Sequence, residues 1–358
     1  MPYRVGVIGG GTYGSRIVKA YYSCHMQNQI VLAALADVNS EAREDAKKKY
    51  AINVYADYKE MIEKENLDAV SVVTPDFLHE EITLYCAAKK LHLALQKPLD
   101  VTVEGAERMV KAAAENNVML FVDFHKRFDP SLILLRERYR TGKLGELLYG
   151  YANIEDAITV PADWFKGWAQ NSSPMWFIGI HLIDIFNWIF DKPPVKVLAT
   201  GGKKKLLSLG IDSYDFIQAK LVYDNGAAIN LDTSWILPRA FPSIVDQTFR
   251  FIGTEGIMEV DGQNRGIEYY SSFDGGSMDN PYGYHVLEEE NALTGCNLSG
   301  YTVDTMLHFP RLLQKLDQGA TLESLAGTYA DGPQAVLATR IAVAIHESVE
   351  KGGVWVTI

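Results

Sequence analysis

Four side chains stand where polar chemistry is costly to place. Lys97 closes the apolar run "LALQ" and is followed at once by Pro98. His181 and Asp184, with Asn187, interrupt a segment (175–190) that is otherwise apolar almost all round. Their i, i+3 spacing sets them on one slanting helical stripe. Burying an imidazole and a carboxylate costs roughly several kcal/mol unless they are paired or face a wet cavity. Such groups can handle a proton. An imidazole titrates near neutral pH and can serve as a general base. An ammonium can hold negative charge developing on an oxygen, and a desolvated lysine could take the base role instead. A lone buried histidine is usually a satisfied core residue. An aspartate one turn away, on a helix committed to the core, favours a lined site.

The elements that must position these groups fall into two halves. Residues 1–122 alternate strands that are apolar throughout ("YRVGVIG", "IVLAALAD", "DAVSVVT", "HLALQ", "VMLFV") with helical stretches such as "GSRIVKAYYSC" and "HEEITLYCAAKK". This predicts a parallel sheet covered on both faces. After Asp123 the period changes. Ile217, Ala219, Leu221 and Tyr223 share one face, Asn225-Gly226 turns, and Ile229, Leu231, Thr233 and Trp235 return, which is a hairpin signature. "TFRFIGTEGIMEV" predicts a second hairpin. A helix over 173–190 is expected to open with Ser173 as N-cap and Pro174 at its first position.

Gly9, Gly11 and Gly14 form G-x-G-x-x-G between the first strand and the first helix, and Asp37 ends the second strand. The first glycine permits a tight turn, the second lets a pyrophosphate approach, and the third allows close helix packing. In this context the motif indicates a dinucleotide site, with the helix N-terminus favouring the phosphates. Asp37 would accept from the adenosine ribose hydroxyls and repel a 2′-phosphate. Val38 and Asn39 follow with no arginine, so NAD(H) is favoured over NADP(H). Ligands of such sheets lie beyond the carboxyl ends of the strands, where Asp37, Thr74, Pro75, His79, Gln96 and Lys97 collect. There Lys97 could reach a substrate hydroxyl. The fold expected is α/β: a Rossmann doubly wound domain over 1–122, then an α+β domain with an open, largely antiparallel sheet over 123–358.

The formal net charge of −11 comes without a basic stripe, which argues against nucleic-acid and anionic-membrane partners. Three scattered cysteines, Cys24, Cys86 and Cys296, make no disulfide framework and fit a reducing compartment. The sequence shows no signal segment and no bilayer-spanning apolar run, so a cytoplasmic location is expected. Ligand-type spacing of His, Asp and Cys is absent, and no metal is expected.

Gly9-x-Gly11-x-x-Gly14, Thr74-Pro75, Gln96-Lys97-Pro98, "FHKRFDP" (124–130) and "GIHLID" (179–184) occur together and in order. The set, continued by the ending "ADGPQAVLATRIAVAIHESVEKGGVWVTI", resembles the Gfo/Idh/MocA oxidoreductases, named for glucose–fructose oxidoreductase and inositol dehydrogenase. The resemblance implies nicotinamide-dependent oxidation of sugar or polyol hydroxyls and an open C-terminal sheet that mediates oligomerisation. The family's Glu-Lys-Pro lysine falls on Lys97 and its active-site histidine on His181. Thr12, Tyr13, Arg127 and Trp168 join the expected cofactor contacts. Two positions depart from the family pattern. Its Glu-Lys-Pro glutamate is Gln96 here, and the aspartate common four residues before the histidine is Phe177. Asp184 is then the candidate to orient His181.

On this reading nicotinamide accepts a hydride, His181 takes the proton and Lys97 stabilises the alkoxide, or the last two exchange roles. Lys126, Tyr151, Trp164, Asp184 and His285, with Lys166 and Trp168 of "DWFKGWAQ", are the expected lining, since sugar C–H faces pack on aromatic rings. The expected activity is NAD(H)-dependent oxidation of a secondary hydroxyl of a sugar or glycoside. C3 is favoured, because the missing helix aspartate departs from the inositol dehydrogenase type. The alternatives are an inositol, polyol or sugar C1 dehydrogenase, an NAD-dependent glycosidase, and a non-enzymatic sugar or nucleotide sensor. A sheet that helices cover on one face predicts a homodimer or homotetramer.

Overall fold

In the computed structural model the apolar runs of the first half form one parallel sheet. Described are residues 2–165, 167–262 and 300–358, and the backbone alone of Ile267–Ser271, Gly275–Asp279, Leu287–Glu288 and Leu298–Ser299. The strands are β1 (Arg4–Ile8), β2 (Val31–Ala36), β3 (Asn53–Tyr55), β4 (Ala69–Val72), β5 (His92–Gln96) and β6 (Leu120–Asp123), in the order β3-β2-β1-β4-β5-β6. Each neighbouring pair is parallel. The order reverses between β1 and β4, the switch point where doubly wound sheets bind ligands. Val5, Val7, Ala69, Val72, Leu93 and Leu95 are fully buried. Burial on both faces is why these strands read as continuous apolar runs. Helices α1 (Thr12–Met26), α2 (Ser40–Tyr50), α3 (Tyr58–Glu65), α4 (His79–Ala88) and α5 (Val103–Glu115) make the connections.

The chain divides into two compact units, Met1–Phe124 with Glu288–Val336, and His125–Leu287 with Leu337–Ile358. The expected division is 1–122 and 123–358; the first compact unit also takes in a later segment of the chain. A late amphipathic helix is the reason. Met306, Phe309, Leu312 and Leu313 of the helix Tyr301–Asp317 share a core with Ile17, Val18, Tyr21 and Cys24 of α1.

The second unit holds β7 (Leu147–Ala157), β8 (Lys196–Gly202), β9 (Phe216–Val222), β10 (Ala228–Leu237), β11 (Val245–Gly253), β12 (Ile257–Asp261) and the terminal strand Val356–Thr357. Their order is β12-β11-β7-β10-β9-β8-terminal strand. Both expected hairpins form. At the first, Gly226 takes φ +84° and Asn225 Oδ1 accepts from the Ala227 N–H at 3.0 Å. Strands β7 and β10 run parallel. Two helices follow the start of this unit, α6 (Pro130–Arg140) and α7 (Ile180–Phe190). Phe186 and Phe190 of α7 meet Phe251 of β11 edge-on, with ring centroids 5.9 and 5.1 Å apart. The helix expected over 173–190 begins instead with a π turn, Met175–Gly179, before α7. Ser173 still caps it, its Oγ accepting from the Trp176 N–H at 3.2 Å. A Cβ at Gly179 would lie 2.8 Å from the Met175 sulfur, so any larger residue there would require the Met175 side chain to shift.

Candidate active site

The three glycines of the first turn differ in what they tolerate. A Cβ on Gly9 would lie 2.4 Å from the Val73 carbonyl oxygen, and one on Gly14 2.0 Å from that of Gly9. At Gly11 it would meet nothing within 4 Å. The chain itself requires the first and third, whereas the second leaves open space at the N-terminus of α1, where a pyrophosphate fits. Thr12 is exposed beside it. Asp37 holds the turn, accepting from the N–H groups of Asn39 at 2.6 Å and Gly10 at 2.5 Å. The expectation of no arginine here needs correction. Arg43 of α2 donates to the carbonyls of Asp37 and Val38 at 2.7 and 3.0 Å.

Lys97 sits half-buried after β5, in a loop fixed from both sides. Asp100 Oδ1 accepts from the N–H and hydroxyl of Thr102 at 2.7 and 2.8 Å, and Thr102 in turn caps α5. His79 is 1% exposed. Its Nδ1 lies 2.8 Å from the Pro98 carbonyl and its Nε2 3.0 Å from that of Thr74. His79 is thus a brace between the Thr74-Pro75 and Lys97-Pro98 loops, not the cofactor contact expected. Burial pushes its pKa below the ordinary value, against the pull of these carbonyls and of Asp76. Asp76, beside it, is pushed up by burial and pulled back by His79 and Lys97. The Thr74 hydroxyl is buried without a protein partner, which suits it to a ligand at the carboxyl rim.

In the second unit His181 follows the π turn and is 4% exposed. Its ring lies against that of His125, with centroids 4.3 Å apart at 59°. Asp184 does not project toward a ligand as expected. Arg127 grips both of its oxygens, Nε to Oδ2 at 2.8 Å and Nη2 to Oδ1 at 2.5 Å. Burial pushes the Asp184 carboxyl up and Arg127 pulls it back. Arg127, an expected cofactor contact, is committed to this pair. Lys126 is likewise buried, its Nζ donating to Gln247 Oε1 at 2.6 Å.

Phe177 stands where the family resemblance sets an aspartate, and its surroundings are aromatic. Its ring lies 5.1 Å from Phe165, 5.8 Å from Trp168 and 6.0 Å from Trp235. Trp168 keeps a buried indole N–H without a partner, a donor beside an apolar wall. Trp164 is 48% exposed at the end of a second π turn, Val160–Trp164. Tyr151 is placed elsewhere than expected. It alternates with buried Ala152 on β7 and bonds Asp232 at 2.9 Å on the sheet face opposite α7. His285 and Lys166 lie outside the described residues.

Sequence reasoning passed over Asp123 and His125. Asp123 appeared only as a domain boundary, although an acid ending the apolar strand "VMLFV" was a visible signal. For His125 the residue type inside "FHKRFDP" was the sole clue.

A sheet of this order with an open glycine turn suits a dinucleotide, so the class is a nicotinamide-dependent oxidoreductase. The chain belongs to the Gfo/Idh/MocA family. Residues 3–124 match its NAD-binding Rossmann-fold oxidoreductase model and residues 133–259 its C-terminal domain. The cofactor is NAD, and the relatives are dehydrogenases of sugars and inositols. The chain is 29% identical over 268 residues to D-glucoside 3-dehydrogenase of Escherichia coli, covering 69% of this chain and 74% of that one. It is 28% identical over 199 residues to myo-inositol 2-dehydrogenase of Thermotoga maritima, covering 55% and 58%. Among solved structures, myo-inositol 2-dehydrogenase from Lactobacillus plantarum superposes with a TM-score of 0.81 at 20% identity over 100% of both chains.

Proposed function

We propose that this NAD-dependent dehydrogenase oxidises a ring secondary hydroxyl of a neutral sugar or glycoside, with C3 the favoured position and a 3-oxo product. The observation that carries this reading is the Phe165, Trp168 and Phe177 wall at the position of the family's helix carboxylate. An apolar wall with one indole donor suits the C–H face of a pyranose or an aglycone. Similarity to D-glucoside 3-dehydrogenase supports it. Bound NAD supplies a hydride acceptor at the nicotinamide ring. His181 takes the hydroxyl proton as general base. Lys97 donates to the same oxygen and stabilises its developing charge. The π turn and the Arg127–Asp184 pair fix the helix that carries His181.

Similarity to inositol dehydrogenases favours a second reading, oxidation of a cyclic polyol. The test is incubation with NAD and glucose, aryl glucosides, a C-glycoside or myo-inositol, locating the new carbonyl by carbon NMR. A C3 ketone is expected. A C1 lactone, or activity on inositol alone, overturns it. Lys97→Ala and His181→Ala should each lose roughly 10²–10⁴-fold in turnover while still binding NAD.

A further inference from the structure

Asp123 ends β6 and pairs in register with Gln96, the end of β5. It is 4% exposed. Its Oδ2 accepts from the Gln96 amide and from the Tyr13 hydroxyl at 2.8 Å. Its Oδ1 accepts from the Thr305 hydroxyl at 2.8 Å. Donors converge on both oxygens, the arrangement an ionised, acceptor-only carboxylate requires. Burial pushes this carboxyl above its ordinary value, and the three hydrogen bonds and the charge of Lys97 pull it back. A buried acid is costly unless matched, and the next residue after Gln96 is Lys97. The family resemblance sets a glutamate at 96. Here that position is an amide, and the carboxylate stands one strand over.

We propose that Asp123 is the counter-charge of Lys97, replacing from β6 the carboxylate missing at Gln96, and that it keeps Lys97 an ammonium. This rests on the reading that Lys97 acts on the substrate hydroxyl, and it decides between the two roles open to that lysine. An ammonium donates to a developing alkoxide but takes no proton, so the base is His181. Asp123 is a positioning residue, since its bonds run to the protein. Tyr13 belongs to the glycine-rich turn, so the same carboxylate ties the lysine loop to the cofactor turn. The other titratable groups are Asp76, which also feels Lys97 from the turn after β4, and Tyr21 of α1, which faces Asp123.

The test reads the titration of Lys97 without any sugar. The NAD-loaded protein is acetylated with trace acetic anhydride across an alkaline pH series, and modification of Lys97 is followed by mass spectrometry. An opposite charge close by raises an amine's pKa by roughly 1–3 units. Asp123→Asn should therefore lower the midpoint by about one pH unit, and Asp123→Asn with Gln96→Glu should restore it. An unmoved midpoint in the single variant, or no return in the double, overturns the proposal. If Asp123→Asn alone does not fold, the double variant must fold with the wild-type midpoint, and its failure to do so is equally decisive against it. Because the labelling needs no substrate, failure to oxidise any sugar would refute the activity and leave this result standing.

Discussion

Arg127 and Asp184 form a forked ion pair inside the second unit, with side chains 9% and 1% exposed. The aspartate sits one turn from His181, yet both of its oxygens go to the guanidinium. The pair joins α7 to the segment 125–128 that carries His125, and so it fixes the two imidazoles relative to each other.

Removing one partner of such a pair leaves a buried charge unmatched, which costs roughly 3–5 kcal/mol. Asp184→Asn should therefore lower the midpoint of denaturant unfolding sharply, and Arg127→Leu with Asp184→Leu should lower it less. A stable Asp184→Asn protein with lost turnover would instead return Asp184 to the role of orienting His181.

Phe177 gives the opposite experiment. Phe177→Asp restores the carboxylate of the family pattern but places it among Phe165, Trp168 and Trp235. Loss of half-buried aromatic packing alone is worth roughly 2 kcal/mol, and desolvation of the new charge adds to it. The variant should unfold at lower denaturant and gain no activity. Unchanged stability with a shifted pH profile would mean that the wall is wet and that a carboxylate can serve there.

What the sequence disclosed follows from local period. Strands β1, β4 and β5 are covered on both faces, so their apolar character is unbroken, and Asn225-Gly226 marks its hairpin by chemistry alone. The Asp123 bond to Thr305 spans 182 residues and the Arg127–Asp184 pair spans 57, and no local pattern encodes either. Tyr151 illustrates a subtler gap. Alternation along β7 shows that Tyr151 and Ala152 face apart, but α7 decides which face is covered. The discontinuous first unit is illegible for the same reason, since the helix that covers α1 comes some 280 residues later in the chain.

A pH prediction follows from His346. Its Nδ1 lies 2.8 Å from the Ala342 carbonyl and its Nε2 2.8 Å from Ser173 Oγ, and its ring stacks on Trp176 at 4.9 Å. Burial pushes its pKa below the ordinary 6.5. Above that value neither the folded nor the unfolded ring is protonated, and stability is full. As pH falls below it the unfolded chain binds a proton that the folded one resists, so stability is lost. Asp76, Asp123 and Asp184, whose pKa values are raised, act in the opposite sense. The comparison with His346→Gln isolates the ring: thermal midpoints should fall less steeply on acidification in the variant. Parallel curves would remove His346 from the acid response.

The last prediction concerns cofactor choice. Asp37 lies at the end of β2, where a ribose hydroxyl would find an acceptor, and each of its oxygens already takes one backbone N–H. A carboxylate oxygen can accept more than one hydrogen bond, so the acid stays able to bind the ribose diol and to repel a phosphate placed there. NAD(H) should bind more tightly than NADP(H) in fluorescence titrations. Arg43 adds a consequence that the adjacent residues Val38 and Asn39 did not suggest. Its guanidinium rests on the carbonyls of Asp37 and Val38, close to where a 2′-phosphate would lie. Asp37→Ser removes the repulsion and leaves that cation in place, so the variant should gain NADPH affinity while losing NADH affinity. Asp37→Ser with Arg43→Ala should lose the NADPH gain. Equal or tighter NADPH binding by the unaltered protein would deprive Asp37 of its assigned role, and an NADPH gain that survives removal of Arg43 would deprive the arginine of its own.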